Sequence, residues 1–248
     1  MKIAVAQSRP IVGPVEGNIA GHQSLIDLAV RNNVRLIVFP ELSLTGYEPP
    51  LAASHARSHE DTCFASLRST AVQHGIYIAV GVPTLGHRLP CISTLVFEPN
   101  SELRVYSKQH LHPDEEPFFE PGPESDAVIH TNPTIALAIC YELSVPTHSQ
   151  RAIESGATVY IASVAKTAHG VDIANERLSE IARVHSTVVM MANCLGMLDS
   201  AECVGRSSAW NRNGTLLKRL EATHEGIIVV DYDTEAAAVA ILSNAGRQ

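Results

Sequence analysis

Three ionisable side chains follow expected strand ends or open loops in this sequence. Glu41 comes after Leu36-Ile-Val-Phe-Pro40, Lys108 after Leu103-Arg-Val-Tyr-Ser107, and Cys140 after Ile135-Ala-Leu-Ala-Ile139. A free thiol with a pKa near ~8.5 is mostly protonated at neutral pH, so a nucleophilic cysteine needs a base or a nearby cation. Glu41 could accept that proton, and Lys108 could stabilise both a thiolate and an oxyanion. Taken singly, each residue has a plainer reading: free cysteines are often small core hydrophobes, and Glu and Lys are mostly solvated. Their shared position at run ends gives them weight, because strand ends in sheet proteins are where sites form. No Cys–His pair stands out by spacing, although twelve histidines leave that alternative open.

The elements that must position these residues can be read from the apolar pattern. Residues 135–139, flanked by Pro133, read as a strand buried on both faces, as in the middle of a sheet covered by helices. Residues 2–7 and 36–39 are further strands, the second stopped by Pro40. Asn18 is expected to cap a helix running to about residue 32, with Ile19, Leu25, Leu28 and Ala29 on one face. A helix over residues 60–74 ends at Gly75, and strands follow over 76–82, 92–97 and 103–107. Residues 108–122 are polar, proline-rich and without periodicity, hence loop. Beyond Cys140, helices are expected near 148–155 and over 171–185. Strands are expected over 159–164, 188–192, 203–210, 215–220 and 226–230, with an alanine-rich packed tail from Tyr232. No repeat or linker divides the chain, so a single domain over 1–248 is expected. Strand–helix alternation in each half, with hairpin-like strands between, predicts an α/β layered sandwich.

Composition narrows the function classes. Eighteen basic against 26 acidic residues give a net charge of −8, and no dense Lys/Arg cluster offers a nucleic-acid surface. The cysteines at 63, 91, 140, 194 and 203 form no CxxC pair and leave one over, which suits reduced thiols in a cytoplasmic protein. The N-terminal apolar run is too short for a signal peptide, and no segment approaches membrane-spanning length.

The segments Phe39-Pro-Glu-Leu-Ser-Leu-Thr-Gly-Tyr47, Tyr106-Ser-Lys-Gln-His-Leu111 and Ala138-Ile-Cys-Tyr-Glu142 resemble, in order, the three motifs of the nitrilase-like carbon–nitrogen hydrolases. The similarity continues in Ala192-Asn193, in Gly205-Arg-Ser207 and in Gly214, so it covers almost the whole chain. The resemblance implies a four-layer α-β-β-α sandwich of two mixed sheets, no metal or organic cofactor, and assembly as a homodimer or larger homo-oligomer. It also implies a catalytic set of Glu41, Lys108 and Cys140, with the Tyr141 N–H as an oxyanion donor. A second glutamate is expected between the lysine and a Pro-Gly. Spacing to Gly122 best matches Glu115, with Glu116 a near rival. Tyr141 after the cysteine resembles the amidase branches, whereas nitrilases more often carry Trp there.

Other residues are weighed against plainer roles. His110 and His112 stand beside Asp114 and Glu115, but on an irregular loop without a third ligand they make a poor metal site. Lys166 follows a strand end where a cation would suit a substrate carboxylate; a surface lysine is the plainer reading. Tyr47, Phe118 and Phe119 could wall a pocket or simply pack, and Trp210 is expected in a strand, buried in core or interface. One departure from the family pattern is the absence of a glutamate after Pro146, which leaves the anchoring of the next helix unexplained. The expected function is hydrolysis of a small linear amide or N-carbamoyl compound. The alternatives are a nitrilase and a catalytically idle binding or assembly member. A glutaminase would be expected beside a fused synthetase, and an acyltransferase beside membrane spans.

Overall fold

Four consecutive residues show why the chain layers as it does. Ile3 to Ala6 are all buried, and successive side chains of a strand face opposite ways, so β1 (Lys2–Gln7) needs apolar cover on both sides. A computed structural model, which describes residues 1–242, supplies both covers. Ile3 and Val5 share a core with Ile135, Leu137, Ile139, Val159 and Ile161 of a second sheet. Ala4 and Ala6 pack instead with Leu25, Ile26 and Ala29, which belong to a helix on the outer face.

In chain order β1 is followed by α1 (Val15–Arg31), β2 (Leu36–Val38), α2 (Ala52–His55), α3 (Ala65–His74), β3 (Tyr77–Thr84), β4 (Cys91–Phe97), β5 (Leu103–Ser107) and β6 (Val128–Ile129). The second half runs β7 (Ile135–Ile139), α4 (Pro146–Glu154), β8 (Val159–Val164), α5 (Ala168–His185), β9 (Val188–Asn193), β10 (Leu195–Leu198), β11 (Ala201–Val204), β12 (Ser208–Trp210), β13 (Leu216–Arg219), β14 (Gly226–Asp231) and β15 (Ala237–Ile241). One sheet has the order β15-β14-β1-β2-β3-β4-β5, the other β13-β12-β9-β8-β7-β6, and β10 and β11 form a separate hairpin. Both large sheets mix parallel and antiparallel pairs. α1 and α3 cover the first sheet, while α4 and α5 cover the second through Ala152, Val171, Ala174 and Leu178. The layers therefore run α-β-β-α, as expected.

Strand direction brings the candidate residues together. β2 is parallel to β3, and two antiparallel steps through β4 return β5 to that direction. The C-terminal ends of β2 and β5 thus share one edge. β7 and β8 are parallel in the facing sheet, and Ser163 near the end of β8 donates to the Phe39 carbonyl at the end of β2 (2.8 Å). Cys140 and the residues after β8 therefore emerge beside Glu41.

Several local expectations change. Asn18 lies within the first turn of α1, which starts after Pro14, and caps nothing. Its amide instead holds both polar groups of Ile11 and accepts none of the helix N–H groups, while also donating to Leu44 O (3.0 Å), so it ties down the loop after Glu41. The strand expected over 203–210 breaks at Gly205 and Arg206, both with positive φ (62° and 56°), and β10 pairs with β11 before the break. The alanine-rich tail is an edge strand, β15, paired with β14; residues 243–248 of that tail lie outside the described residues. α4 begins at Pro146, whose fixed φ suits a first helical position. Among the described residues no helix is long and apolar enough to cross a membrane.

Candidate functional site

Glu41 sits on a tight turn that a neighbouring glycine permits. Leu42 has φ of 49°, and a Cβ on Gly81 of β3 would fall 2.4 Å from Leu42 N and 2.5 Å from Pro40 O. Only a residue without a side chain lets the strand pass so close to the turn. Lys108 continues β5, with its N–H donating to Ile92 O (2.8 Å). Cys140 carries φ of 42° where β7 passes into a 3-10 helix over Cys140–Ser144. A non-glycine residue in that region costs on the order of 1–3 kcal/mol and persists only where its surroundings hold it.

Glu142 is what holds it. This fully buried carboxylate accepts from Ile139 N (2.8 Å), Gln109 N (2.7 Å) and the Tyr106 hydroxyl (2.8 Å), so it joins the Cys140 turn to the chain on both sides of Lys108. His148 completes the joint, with Nε2 3.0 Å from the Tyr106 hydroxyl and Nδ1 3.0 Å from the Tyr160 hydroxyl. That contact anchors α4 without a glutamate after Pro146.

Lys108 and Glu41 are both almost wholly buried, and Lys108 Nζ donates to Glu41 Oε1 (2.8 Å) and to Glu115 Oε1 (2.7 Å). The two carboxylates differ in what remains. Both Glu115 oxygens are engaged, since the Tyr47 hydroxyl also donates to Oε1 (3.0 Å) and the His112 N–H to Oε2 (2.8 Å). Glu41 Oε2 is buried with no hydrogen-bond partner. Such an atom is costly unless something else uses its lone pairs. Lys108 has three N–H donors and spends two on these carboxylates, leaving a third. Tyr141 lies in the first turn of the 3-10 helix, where N–H groups have no intrahelical acceptor.

Burial shifts the protonation equilibria. It pushes the Cys140 thiol up to about 11, helped by the Glu41 charge and opposed by Lys166 and Lys108. Burial also raises the Glu41 carboxyl, against the pull of Lys108 and with a further push from Glu115. Burial works against the Lys108 ammonium too, but Glu41, Cys140 and Glu115 outweigh it and hold its pKa above the usual lysine value. Cys140 is nevertheless not wholly buried as a residue.

The structure therefore brings Glu41, Lys108, Glu115 and Cys140 into one electrostatic cluster, with Tyr47 on Glu115 and the Lys166 charge also acting on the sulfur. Glu116 is exposed and outside it. Phe119 is buried in the core between the sheets, and Phe118 is half-buried against that core. Trp210 packs under α5. His112 stacks edge-on against Tyr141 and His110 against His148; among the described residues no group of three or more His, Cys, Asp or Glu could hold a metal ion. Sequence reasoning assigned no role to Glu142, Asn193 or Gly81. The available signal for the first was an acid two residues after the thiol in an apolar setting.

Over residues 2–241 the chain matches the carbon–nitrogen hydrolases, and it belongs to that family. The fold is shared with an amidase from Nesterenkonia sp. AN1, at a TM-score of 0.85 and 24% identity over 93% of this chain and 92% of that one. A nitrilase of Pyrococcus abyssi is 26% identical over 241 residues, 94% of this chain and 90% of that protein. The glutamine-dependent NAD(+) synthetase of Aquifex aeolicus is 25% identical over 243 residues, which are 94% of this chain and 42% of the synthetase. The chain thus spans less than half the length of that relative.

Proposed function

We propose that this chain hydrolyses the C–N bond of a small linear amide or N-carbamoyl compound through a thioester on Cys140. The observation that carries this reading is the unpartnered, buried Glu41 Oε2 on a carboxylate whose other oxygen is held by Lys108. A thiol near about 11 supplies almost no thiolate at neutral pH, so its proton must leave as the sulfur attacks. Glu41 accepts that proton as the C–S bond forms and the carbonyl electrons move onto oxygen. The third N–H of Lys108 and the N–H of Tyr141 hold the oxyanion, each such donor being worth on the order of 10²–10³ in rate. Glu41 then returns the proton to the departing nitrogen as the C–N bond breaks, releasing ammonia or an amine. Water, deprotonated by the same carboxylate, attacks the thioester, frees the acid and restores the thiol. Glu115 positions Lys108.

The test pairs ammonia release from a panel of amides, N-carbamoyl compounds and matching nitriles with intact-mass analysis of the protein during turnover. The expected result is release from amide or carbamoyl compounds with none from nitriles, and an acyl adduct mapping to Cys140 that Cys140→Ala lacks. Release from nitriles alone favours the nitrilase reading. Neither release nor an adduct with any compound favours an idle member of the family.

A further inference from the structure

We propose that a cavity behind the Glu41 turn is a second, non-catalytic site that binds a small carboxylate through the Ser8 hydroxyl and the Arg9 guanidinium. The reading is independent of the chemistry at Cys140. Ser8 and Arg9 follow β1, which is parallel to β2, so they leave the sheet at the same edge as Glu41. A cavity of about 300 Å³ lies there, at the low end of the range for small-ligand sites. Among the described residues it is lined by Ser8, Arg9 and Ile11, by Asn18 and His22 of α1, and by Glu225 before β14, and by none of Glu41, Lys108, Glu115 and Cys140. His22 joins this wall to the catalytic turn, since its Nε2 lies 3.0 Å from the hydroxyl of Ser43, which also accepts from Gly81 N (3.3 Å).

Most polar side chains of the lining are already engaged. The Asn18 amide holds Ile11 and donates to Leu44 O (3.0 Å), the second His22 nitrogen lies 2.8 Å from Asn18 O, and the Ser24 hydroxyl donates to Ala20 O (3.2 Å). Burial holds the His22 imidazole down to about 4, so it adds no charge at neutral pH. Two groups are left over. Ser8 is 3% exposed, and its Oγ is buried with no hydrogen-bond partner. Native folds rarely leave a buried hydroxyl unpaired, and one that lines a cavity can take its partner from a ligand. The Arg9 guanidinium forms no ion pair among the described residues. Arg9 is nevertheless held in place. Its N–H donates to Glu225 Oε1 (2.9 Å), and its side chain lies along Gly196 of β10, where a Cβ would be 3.3 Å from Nη1 and 3.6 Å from Cγ. Glu225, the one acid in the lining, thus meets Arg9 at the backbone and not at the guanidinium. A hydroxyl that can donate, next to a planar fork of N–H donors, suits a carboxylate.

Propionate and L-alanine carry the carboxylate without and with an adjacent ammonium, and ethylamine carries the ammonium alone. Each is titrated into isotope-labelled protein whose Cys140 has been alkylated with iodoacetamide, so that the catalytic site is blocked, and backbone amide shifts are followed by NMR. The expected result is shifts centred on Ser8, Arg9 and Asn18 with a carboxylate and none with ethylamine; the tighter of propionate and L-alanine then tells a plain acid from an amino acid. Arg9→Gln is expected to raise Kd by roughly 10–100-fold, the range for one charge-assisted contact, and Arg9→Lys to restore part of the affinity. Ser8→Ala should raise Kd by roughly 2–10-fold and leave the Tm of the ligand-free protein no lower, because the hydroxyl has no partner to lose. Binding that Arg9→Gln leaves unchanged overturns the proposal, as do shifts confined to the surroundings of Cys140, ethylamine binding as tightly as propionate, or no binding of either carboxylate. A lower Tm in ligand-free Ser8→Ala overturns it too, since the hydroxyl would then be bonded within the fold.

Discussion

Glu41→Gln separates two effects that one carboxylate has on Cys140. In the proposed mechanism the carboxylate takes the thiol proton, so the variant loses hydrolysis. The same carboxylate is, after burial, the largest influence holding that thiol at about 11. Removing its charge leaves Lys166 and Lys108 opposed by Glu115 alone, so the inactive variant should have the more acidic sulfur. At an effective dielectric of about 20, any two like charges about 6 Å apart repel by about 3 kcal/mol, or about 2 pKa units, which sets the scale of the lost repulsion. At about pH 8 this raises the thiolate fraction about 100-fold. The lower basicity takes back about tenfold in intrinsic nucleophilicity, leaving a net gain of about tenfold. The assay is the pH–rate profile of iodoacetamide alkylation at Cys140, set beside amide hydrolysis by the same preparations. An alkylation midpoint that stays put or rises in Glu41→Gln refutes the reasoning, and so does hydrolysis near the wild-type rate.

Two further perturbations follow from the same geometry. Glu115 pushes the Glu41 carboxyl upward, so Glu115→Gln should move the acid limb of the kcat/KM profile to lower pH, measured by hydrolysis rates across the acid range. The stability sign is separate: Glu41 has a folded pKa above its ordinary value, so its protonated form favours the fold. That contribution is complete below about 4.5 and is lost as pH rises through the folded value. Gly81→Ala places a Cβ 2.4 Å from Leu42 N and 2.5 Å from Pro40 O, so the Glu41 turn must shift. Thermal unfolding should report a loss of about 1–3 kcal/mol, with a fall in kcat that a Gly→Ala change at open Gly17 does not produce.

How much of this was legible in the sequence depended on the range of each interaction. β7 was readable to the residue, because a strand buried on both faces has a continuous apolar run and Cys140 ends it. Strand–helix alternation in the two halves gave a layered α/β sandwich, and the four-layer order came from the family resemblance. Glu41, Lys108 and Cys140 were flagged by position, and the choice of Glu115 over Glu116 became physical only once one was buried on Lys108 and the other exposed. What escaped was encoded non-locally. Asn18 looks like a cap because its neighbours are helical, yet its partners Ile11 and Leu44 lie on separate loops. The break at Gly205–Arg206 is invisible to apolar patterning, since Cys203 and Ser208–Trp210 are buried on either side of it. Gly81 reads as an ordinary strand glycine until the approach of Pro40 is known.

The division of labour between the two glutamates is also an argument about charge. A carboxylate buried without compensation costs several kcal/mol, and one ammonium facing two of them lessens that cost only while its surroundings stay dry and fixed. In the proposed acyl transfer, Glu41 becomes neutral as it takes the thiol proton, and a negative charge appears on the carbonyl oxygen at the third N–H of Lys108. Lys108 therefore faces two negative charges before attack and two after it. No counter-charge has to enter and no dipole has to turn, which is the condition under which fixed groups lower a barrier most. That constancy fails if Glu115 takes the proton instead, because the charge holding Lys108 in place would vanish. The donors from Lys108, Tyr47 and the His112 N–H engage both Glu115 oxygens, whereas Glu41 keeps a free one. In the proposed mechanism it is therefore the open oxygen of Glu41 that meets the thiol proton.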